Sequence, residues 1–279
     1  MKILMTGATG YIGSVFADEF LNLGCSLANI GRTAQKDKRV INYSLTENYF
    51  DILESYKPDV IIHLAASFDN KDINAIIDTN IKLPLKLLEA NSKTAKAKFL
   101  YIGTYWSFGD KSMPDVPIDL YSSAKKSFES FMSYYREYKN IDCVNIVLYG
   151  TYGQYDNRGK LLDYLIDCAK NKVEVNITEG KQNLNLIDVN ALADEVYRLI
   201  CMKRSSSNYL IASDKEYTPR EMVSIISKYH ELNVNFGAKK YRDIELMNPF
   251  YPENFERIII KDELEEHIRL KFGVPNGKD

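Results

Sequence analysis

The chain has 279 residues, 45% of them apolar and 27% charged, with 14 Gly and 8 Pro. That length supplies a sizeable buried core and excludes a peptide hormone or a disulfide miniprotein, while the composition excludes collagenous, disordered and low-complexity classes. Lys plus Arg number 36 against 38 Asp plus Glu, a formal net charge of -2, so no overall field draws the chain to nucleic acid or to an anionic bilayer.

The opening run Met1-Lys2-Ile3-Leu4-Met5-Thr6-Gly7 turns polar and Gly-rich before the apolar region of a signal peptide could form, and no later apolar run is long enough to span a membrane. The expectation is a cytoplasmic protein with neither membrane nor nucleic acid as partner. Ile3-Leu4-Met5 reads as a first strand, and a helical period follows over 11–23. Between them lies Thr6-Gly7-Ala8-Thr9-Gly10-Tyr11-Ile12-Gly13. Gly7 permits a tight turn, Gly10 lets the backbone approach a pyrophosphate, and Gly13 lets helix and strand pack closely, with the helix N-terminus offering N–H donors. In this position the motif points to dinucleotide binding.

A second strand over 27–30 ends in Ile30-Gly31-Arg32-Thr33. An acidic residue there would accept from the ribose hydroxyls of NAD; Arg32 instead can pair with a 2′-phosphate, and Lys36 and Lys38 add positive potential, so NADP is expected, with NAD as the alternative. Strands are also predicted over 60–64, 99–102 and 144–148, and helices over 70–90 and 121–138. This alternation indicates an α/β protein with a doubly wound parallel sheet, whose strand carboxyl ends share the ligand-binding edge.

Past the fourth strand, Ile102-Gly103-Thr104-Tyr105-Trp106-Ser107-Phe108-Gly109 supplies hydroxyls, with Thr104 the first candidate and Ser107 the fallback. Tyr121 and Lys125 stand four residues apart at the start of a helix, on one side of it. A neighbouring ammonium favours phenolate, so Lys125 is expected to lower the Tyr121 pKa toward working pH, and Thr104 to stabilise charge on the same substrate oxygen. Tyr135 and Lys139 repeat the spacing in a chain with 20 tyrosines, but at the far end of the helix.

Later elements are a helix over 161–170, a strand over 173–177, a helix over 189–202, a strand over 208–212 and helices over 219–230 and 261–271. Residues 1–153 and 186–213 are therefore assigned to a dinucleotide-binding domain, and 154–185 with 214–279 to a smaller substrate lobe. Cys25, Cys143, Cys168 and Cys201 are scattered singly, and His63, His230 and His267 form no ligand cluster, so no metal is expected.

Together Gly7, Gly10, Gly13, His63-Leu64-Ala65-Ala66, Thr104 through Gly109, and Tyr121 with Lys125 resemble an extended short-chain dehydrogenase/reductase of the NAD-dependent epimerase/dehydratase family. The resemblance spans nearly the whole chain and implies a Rossmann fold whose C-terminal lobe binds a nucleotide-diphosphate sugar. It makes Thr104, Tyr121 and Lys125 the catalytic set, with Lys125 also on the nicotinamide ribose. Leu64, Ala65 and Ala66 would line the cofactor, and Tyr11 and Ile12 would donate backbone hydrogen bonds to its pyrophosphate. Asn235-Phe236-Gly237 followed by Tyr241-Arg242-Asp243-Ile244-Glu245 resembles the segment whose arginine grips the substrate phosphates, which implies that role for Arg242. The run 81–88, with the Phe236 region, is similar to bacterial CDP-sugar 4-ketoreductases of the abequose and paratose synthase type. The resemblance further implies a homodimer through the helices over 70–90 and 121–138.

Three positions depart from the family pattern: the acidic residue of the second strand gives way to Gly31-Arg32, the usual Asp near the third strand reads Ser44, and an Arg-Asp-Phe segment reads Leu184-Asn185-Leu186. Dehydratases of the family carry acidic residues directly after the catalytic threonine, where this chain has Tyr105 and Trp106. The expected reaction is therefore NADPH-dependent reduction of a 4-keto-6-deoxy nucleotide sugar for bacterial surface polysaccharide. An NAD-dependent epimerase is the alternative, and a non-catalytic NADP-sensing regulator a further one.

Overall fold

In the computed structural model, which describes residues 1–154, 156, 158–202 and 206–275, the short apolar runs become parallel strands. Strand β1 (Lys2–Thr6) leads into helix α1 (Tyr11–Asn22), then β2 (Ser26–Gly31), β3 (Val40–Ser44), α2 (Tyr49–Tyr56) and β4 (Val60–His63). Helix α3 (Ile73–Ile77), a π-helical turn (Asp78–Lys82) and α4 (Leu83–Lys93) precede β5 (Lys98–Thr104), a short hairpin of β6 (Gly109–Asp110) and β7 (Met113–Pro114), and the long helix α5 (Leu120–Lys139). After β8 (Cys143–Leu148) come β9 (Gly150–Tyr152), α6 (Leu161–Asn171), β10 (Val175–Ile177), β11 (Leu184–Asp188), α7 (Val189–Cys201) and β12 (Asn208–Ser213). The chain continues through β13 (Glu216–Tyr217), α8 (Pro219–Ser227), β14 (Val234–Phe236), β15 (Glu256–Ile260) and α9 (Leu264–Lys271).

Eight strands form one sheet in the order β15-β12-β8-β5-β4-β1-β2-β3, every neighbour parallel. The chain winds outward in opposite directions from β1 and β4, which opens a crevice at their carboxyl ends. Helices α1 and α7 cover one face through Phe16, Phe20, Leu192 and Val196, and α2, α4 and α5 the other through Leu53, Leu87, Leu88, Phe128 and Met132. This is the doubly wound Rossmann-type α/β fold expected from the strand and helix alternation. A smaller core from α6, α8 and α9, around Leu165, Ile166, Met222, Ile226 and Ile268, builds the second lobe with short strand pairs beside it.

Three features differ from the sequence reading. Residues 256–260, assigned to the substrate lobe, form β15 and pair with β12 at the edge of the large sheet. The helix predicted without a break over 70–90 is interrupted by the π-helical turn, directly before Pro84. Proline has no N–H to give the Asn80 carbonyl, and the Tyr101 hydroxyl donates to that carbonyl instead, at 3.4 Å. The edge strand β3 and the short α2 were not predicted.

Helix α5 starts at Leu120 because Asp119 caps it: Asp119 Oδ1 accepts from the Ser122 N–H at 2.7 Å, and the Asp119 N–H donates to Ser122 Oγ at 3.1 Å. The cap puts Tyr121 in the first turn, at the crevice. Between the sheet and the second lobe, Asn185 acts as a clip, donating from Nδ2 to the Ser213 carbonyl at 2.9 Å and accepting at Oδ1 from the Ser213 N–H at 2.7 Å. Asn185 is buried, so Asn185→Ala leaves two backbone groups of β12 without partners. We expect a loss of about 3 kcal/mol in unfolding free energy by urea titration; a change within experimental error rejects the clip as a stabilising contact.

Candidate active site

The glycine turn has little steric freedom. Gly7 has φ +75°, and a Cβ there would stand 2.7 Å from the Ala65 nitrogen. A Cβ on Gly13 would stand 2.1 Å from the Gly7 carbonyl oxygen, so the turn closes only without side chains. Gly10 caps α1 without a side-chain hydrogen bond, and the first N–H groups of the helix, on Tyr11, Ile12 and Gly13, have no carbonyl one turn earlier inside it. A cradle that a Cβ would fill, facing open helix donors, fits the pyrophosphate of a dinucleotide. Leu64, Ala65 and Ala66 form the opposite rim, fixed where the Ala65 N–H donates to Thr6 Oγ1 at 3.2 Å and Thr6 Oγ1 meets His63 Nδ1 at 2.8 Å.

A cavity of about 1380 Å³ opens from this cradle toward the second lobe. Gly31, the last residue of β2, and Arg32 just past it line the cavity, and Arg32 forms no ion pair among the described residues. Lys36 and Lys38, read from the sequence as added positive potential, stand outside its wall. The following loop folds back, with Gln35 donating to the Ala8 carbonyl at 3.0 Å.

Thr104, Tyr121 and Lys125 meet in the same cavity. Lys125 is buried; its Nζ donates to the Ile102 carbonyl at 2.9 Å and lies 4.5 Å from the centre of the Tyr101 ring. Burial away from water pushes Lys125 down to about 7. Burial pushes the Tyr121 phenol up to about 12, against the pull of its hydrogen bond with the Thr104 hydroxyl. The expectation that Lys125 draws the phenol toward neutral pH is therefore reversed. With its pKa near 7 the amine keeps only part of its charge at neutral pH, and desolvation of the phenol outweighs the field it offers. Ser107 is spent elsewhere: it is buried and donates to the Ser122 carbonyl at 3.1 Å, whereas Thr104 faces the cavity.

At the lobe end, Arg242 lines the cavity with its guanidinium 5.6 Å from the centre of the Trp106 ring, and Trp106 stands edge to face with Tyr121 at 6.5 Å. Arg242 is also paired with Glu245, Nε to Oε2 at 3.0 Å and Nη2 to Oε1 at 2.9 Å. Sequence reasoning missed three further groups in this wall: Arg158, Lys160 and Gln182. Arg158 is matched by Asp156 and lies over the Tyr11 ring at 4.2 Å. Lys160 has no ion-pair partner among the described residues; burial, together with the positive charges of Arg158 and Arg242, lowers its pKa. From the sequence these residues belong to a polar loop, and the fold places Arg158 and Lys160 at the cavity wall. Among the described residues no group of three or more His, Cys, Asp or Glu could hold a metal ion, and no helix is long and apolar enough to cross a membrane.

The depressed Lys125 pKa has a thermodynamic signature. Between about pH 7 and 10.5 the unfolded chain binds more protons at this side chain than the folded one, so stability rises with pH across that window. Against Lys125→Met, nucleotide-free wild-type protein should gain on the order of 1 kcal/mol per pH unit from pH 7 to 10, by urea unfolding at each pH. A constant difference between the two proteins means that the lysine keeps its charge when buried.

A model of the NAD dependent epimerase/dehydratase family matches residues 3–212. The chain is 30% identical to a CDP-abequose synthase of Yersinia pseudotuberculosis, covering 98% of this chain and 99% of that protein, and 27% identical to a CDP-abequose synthase of Salmonella muenchen over 88% and 87%. Its fold superposes on a UDP-glucuronic acid 4-epimerase from Bacillus cereus, solved with UDP-glucuronic acid and NAD, with a TM-score of 0.82 at 19% identity, covering 98% of both chains. The chain belongs to the NAD dependent epimerase/dehydratase family, of the extended short-chain dehydrogenase/reductase type.

Proposed function

We propose that the protein is a reductase that uses NADPH to convert the 4-keto group of a CDP-linked 6-deoxy sugar to an alcohol, a cytoplasmic step in making bacterial surface polysaccharide. The observation that carries this reading is the meeting of Thr104, Tyr121 and Lys125 in one cavity between the glycine cradle and the Arg242 wall. Arg32, without an ion-pair partner among the described residues, favours a 2′-phosphate and so a reductant consumed at each turnover. The names of the two relatives support CDP-sugar chemistry.

When bound, NADPH supplies the hydride that forms the new C4–H bond and leaves as NADP. Gly7, Gly10, Tyr11, Ile12 and Gly13 would hold its pyrophosphate, and Leu64, Ala65 and Ala66 its flank. Tyr121, protonated at neutral pH, gives its phenolic proton to the carbonyl oxygen as the carbon–oxygen π bond breaks. Thr104 holds that oxygen through its hydroxyl, beside the phenol. Lys125, fixed on the Ile102 carbonyl, sets the rim on which the nicotinamide ribose would rest. Tyr105 and Trp106, directly after Thr104, offer no carboxylate to abstract a proton or expel water, which disfavours the dehydratase reaction. Lys160 and the uncommitted edge of Arg242 would take the substrate diphosphate, with 154–185 and 214–255 as the substrate lobe.

An NAD-dependent epimerase is the second reading, favoured by the likeness of fold to 4-epimerases solved with NAD. It must begin by taking a proton from an alcohol, whereas the reductase begins with the phenol protonated. A homodimer through the helices of 70–90 and 121–138 is also proposed; they carry Ile73, Phe131, Tyr134 and Tyr138 exposed.

Tyr121→Phe should lower kcat for NADPH oxidation with a CDP-4-keto-6-deoxy sugar by at least about 100-fold and leave the Kd for NADPH within about 2-fold. Turnover equal to wild type rejects the assignment. Arg32→Ala should weaken NADPH about 10-fold or more and leave NADH unchanged, by fluorescence titration. Equal effects on both cofactors separate Arg32 from the 2′-phosphate. Purified protein that keeps NAD through desalting and consumes no NADPH would establish the epimerase instead.

A further inference from the structure

Gln182 is 9% exposed and lies in the cavity wall; its Oε1 is enclosed, and its amide makes no hydrogen bond among the described residues. A buried amide without partners costs the folded chain free energy unless a bound molecule supplies the missing bonds. Its position is nevertheless well held. The Lys181 N–H donates to the Tyr241 hydroxyl at 3.0 Å, the Asn183 N–H to the Met247 carbonyl at 2.9 Å, and the Asn183 amide to Asn248 Oδ1 at 2.9 Å. Both neighbours of Gln182 are thus clipped to the loop that carries Arg242.

These contacts order the cavity. Tyr121 touches Trp106, Trp106 faces the Arg242 guanidinium, and Tyr241, adjacent to Arg242, holds the backbone beside Gln182. A nucleotide sugar has the same order: reacting carbon, diphosphate, ribose, base. Leu161, Leu184, Leu186 and Met222 also line the cavity and offer the apolar surface that the faces of a heterocycle need, while its edge needs an amide.

Resting on the CDP-sugar reading above, we propose that Gln182 holds the substrate's base, with Oε1 accepting from the cytosine amino group and Nε2 donating to the ring nitrogen beside it. Gln182→Met keeps nearly the same shape and removes both polar atoms. Calorimetric titration of wild type and variant with CDP, pyrophosphate and NADPH should show CDP weakened about 10-fold and the other two unchanged. The melting temperature of the nucleotide-free variant should not fall, because an unpaired buried amide has been removed. Unchanged CDP affinity overturns the role, as does equal weakening of CDP and pyrophosphate, which would put the amide on the phosphates. A lower melting temperature or a variant that does not fold overturns it in favour of a structural glutamine. Wild-type protein that binds NADPH and not CDP overturns the CDP-sugar reading itself and the base contact with it, an outcome distinct from a variant that matches a CDP-binding wild type.

Discussion

A hydrogen bond from Lys125 Nζ to the Ile102 carbonyl, 2.9 Å long and shielded from water, holds the first turns of α5 against the end of β5. Ile102 is two residues before Thr104, and Lys125 one helical turn after Tyr121, so this contact brings the threonine hydroxyl and the phenol to one point in the crevice. The same burial that shields the anchor weakens the lysine's charge near neutral pH and, by desolvating the phenol, pushes the Tyr121 pKa up. Position and protonation state therefore have a common origin, the exclusion of water beneath the helix. An arrangement of this kind can deliver a proton before it has to accept one, which suits reduction.

The second lobe depends on the sheet for its placement. Asn185 grips Ser213 on β12, and β15 returns from the lobe to pair beside β12, so the chain crosses between the two parts more than once. The cavity lies between these crossings, with the glycine cradle on one side and α6 with the Arg242 loop on the other.

Much of this was legible from the residues. β1, β4 and β8 are buried on both faces and appear as largely apolar runs, and the three glycines occur in the one context where their spacing carries meaning. β3 was not legible because its residues lie at the sheet edge, where Ile41, Asn42 and Ser44 are largely exposed and the apolar pattern fades. The π-helical turn was hidden because helical periodicity persists through a one-residue insertion. Thr104, Tyr121 and Lys125 were found from position and type, yet the sign of the phenol's shift was not, because desolvation is a property of the packed structure and spacing along a helix reports only proximity. Gln182 and Lys160 had no signal at all: each is an ordinary polar residue in a loop until the fold places it at the cavity wall.

The departures at Leu184, Asn185 and Leu186 are accounted for by a redistribution of charge. Without an arginine on β11, the strand presents leucine to the cavity, and positive charge comes from the loop before α6 and from Arg242. Arg158 is paired with Asp156 and Arg242 with Glu245, whereas Lys160, at the N-terminus of a helix without a side-chain cap, has no ion-pair partner among the described residues. A diphosphate entering there would satisfy Lys160 first and compete with Glu245 for Arg242, exchanging one charge-assisted pair for another. Such an exchange gives little net affinity on its own. Selectivity must then come from groups that have no partner to exchange, and the amide of Gln182 is of that kind.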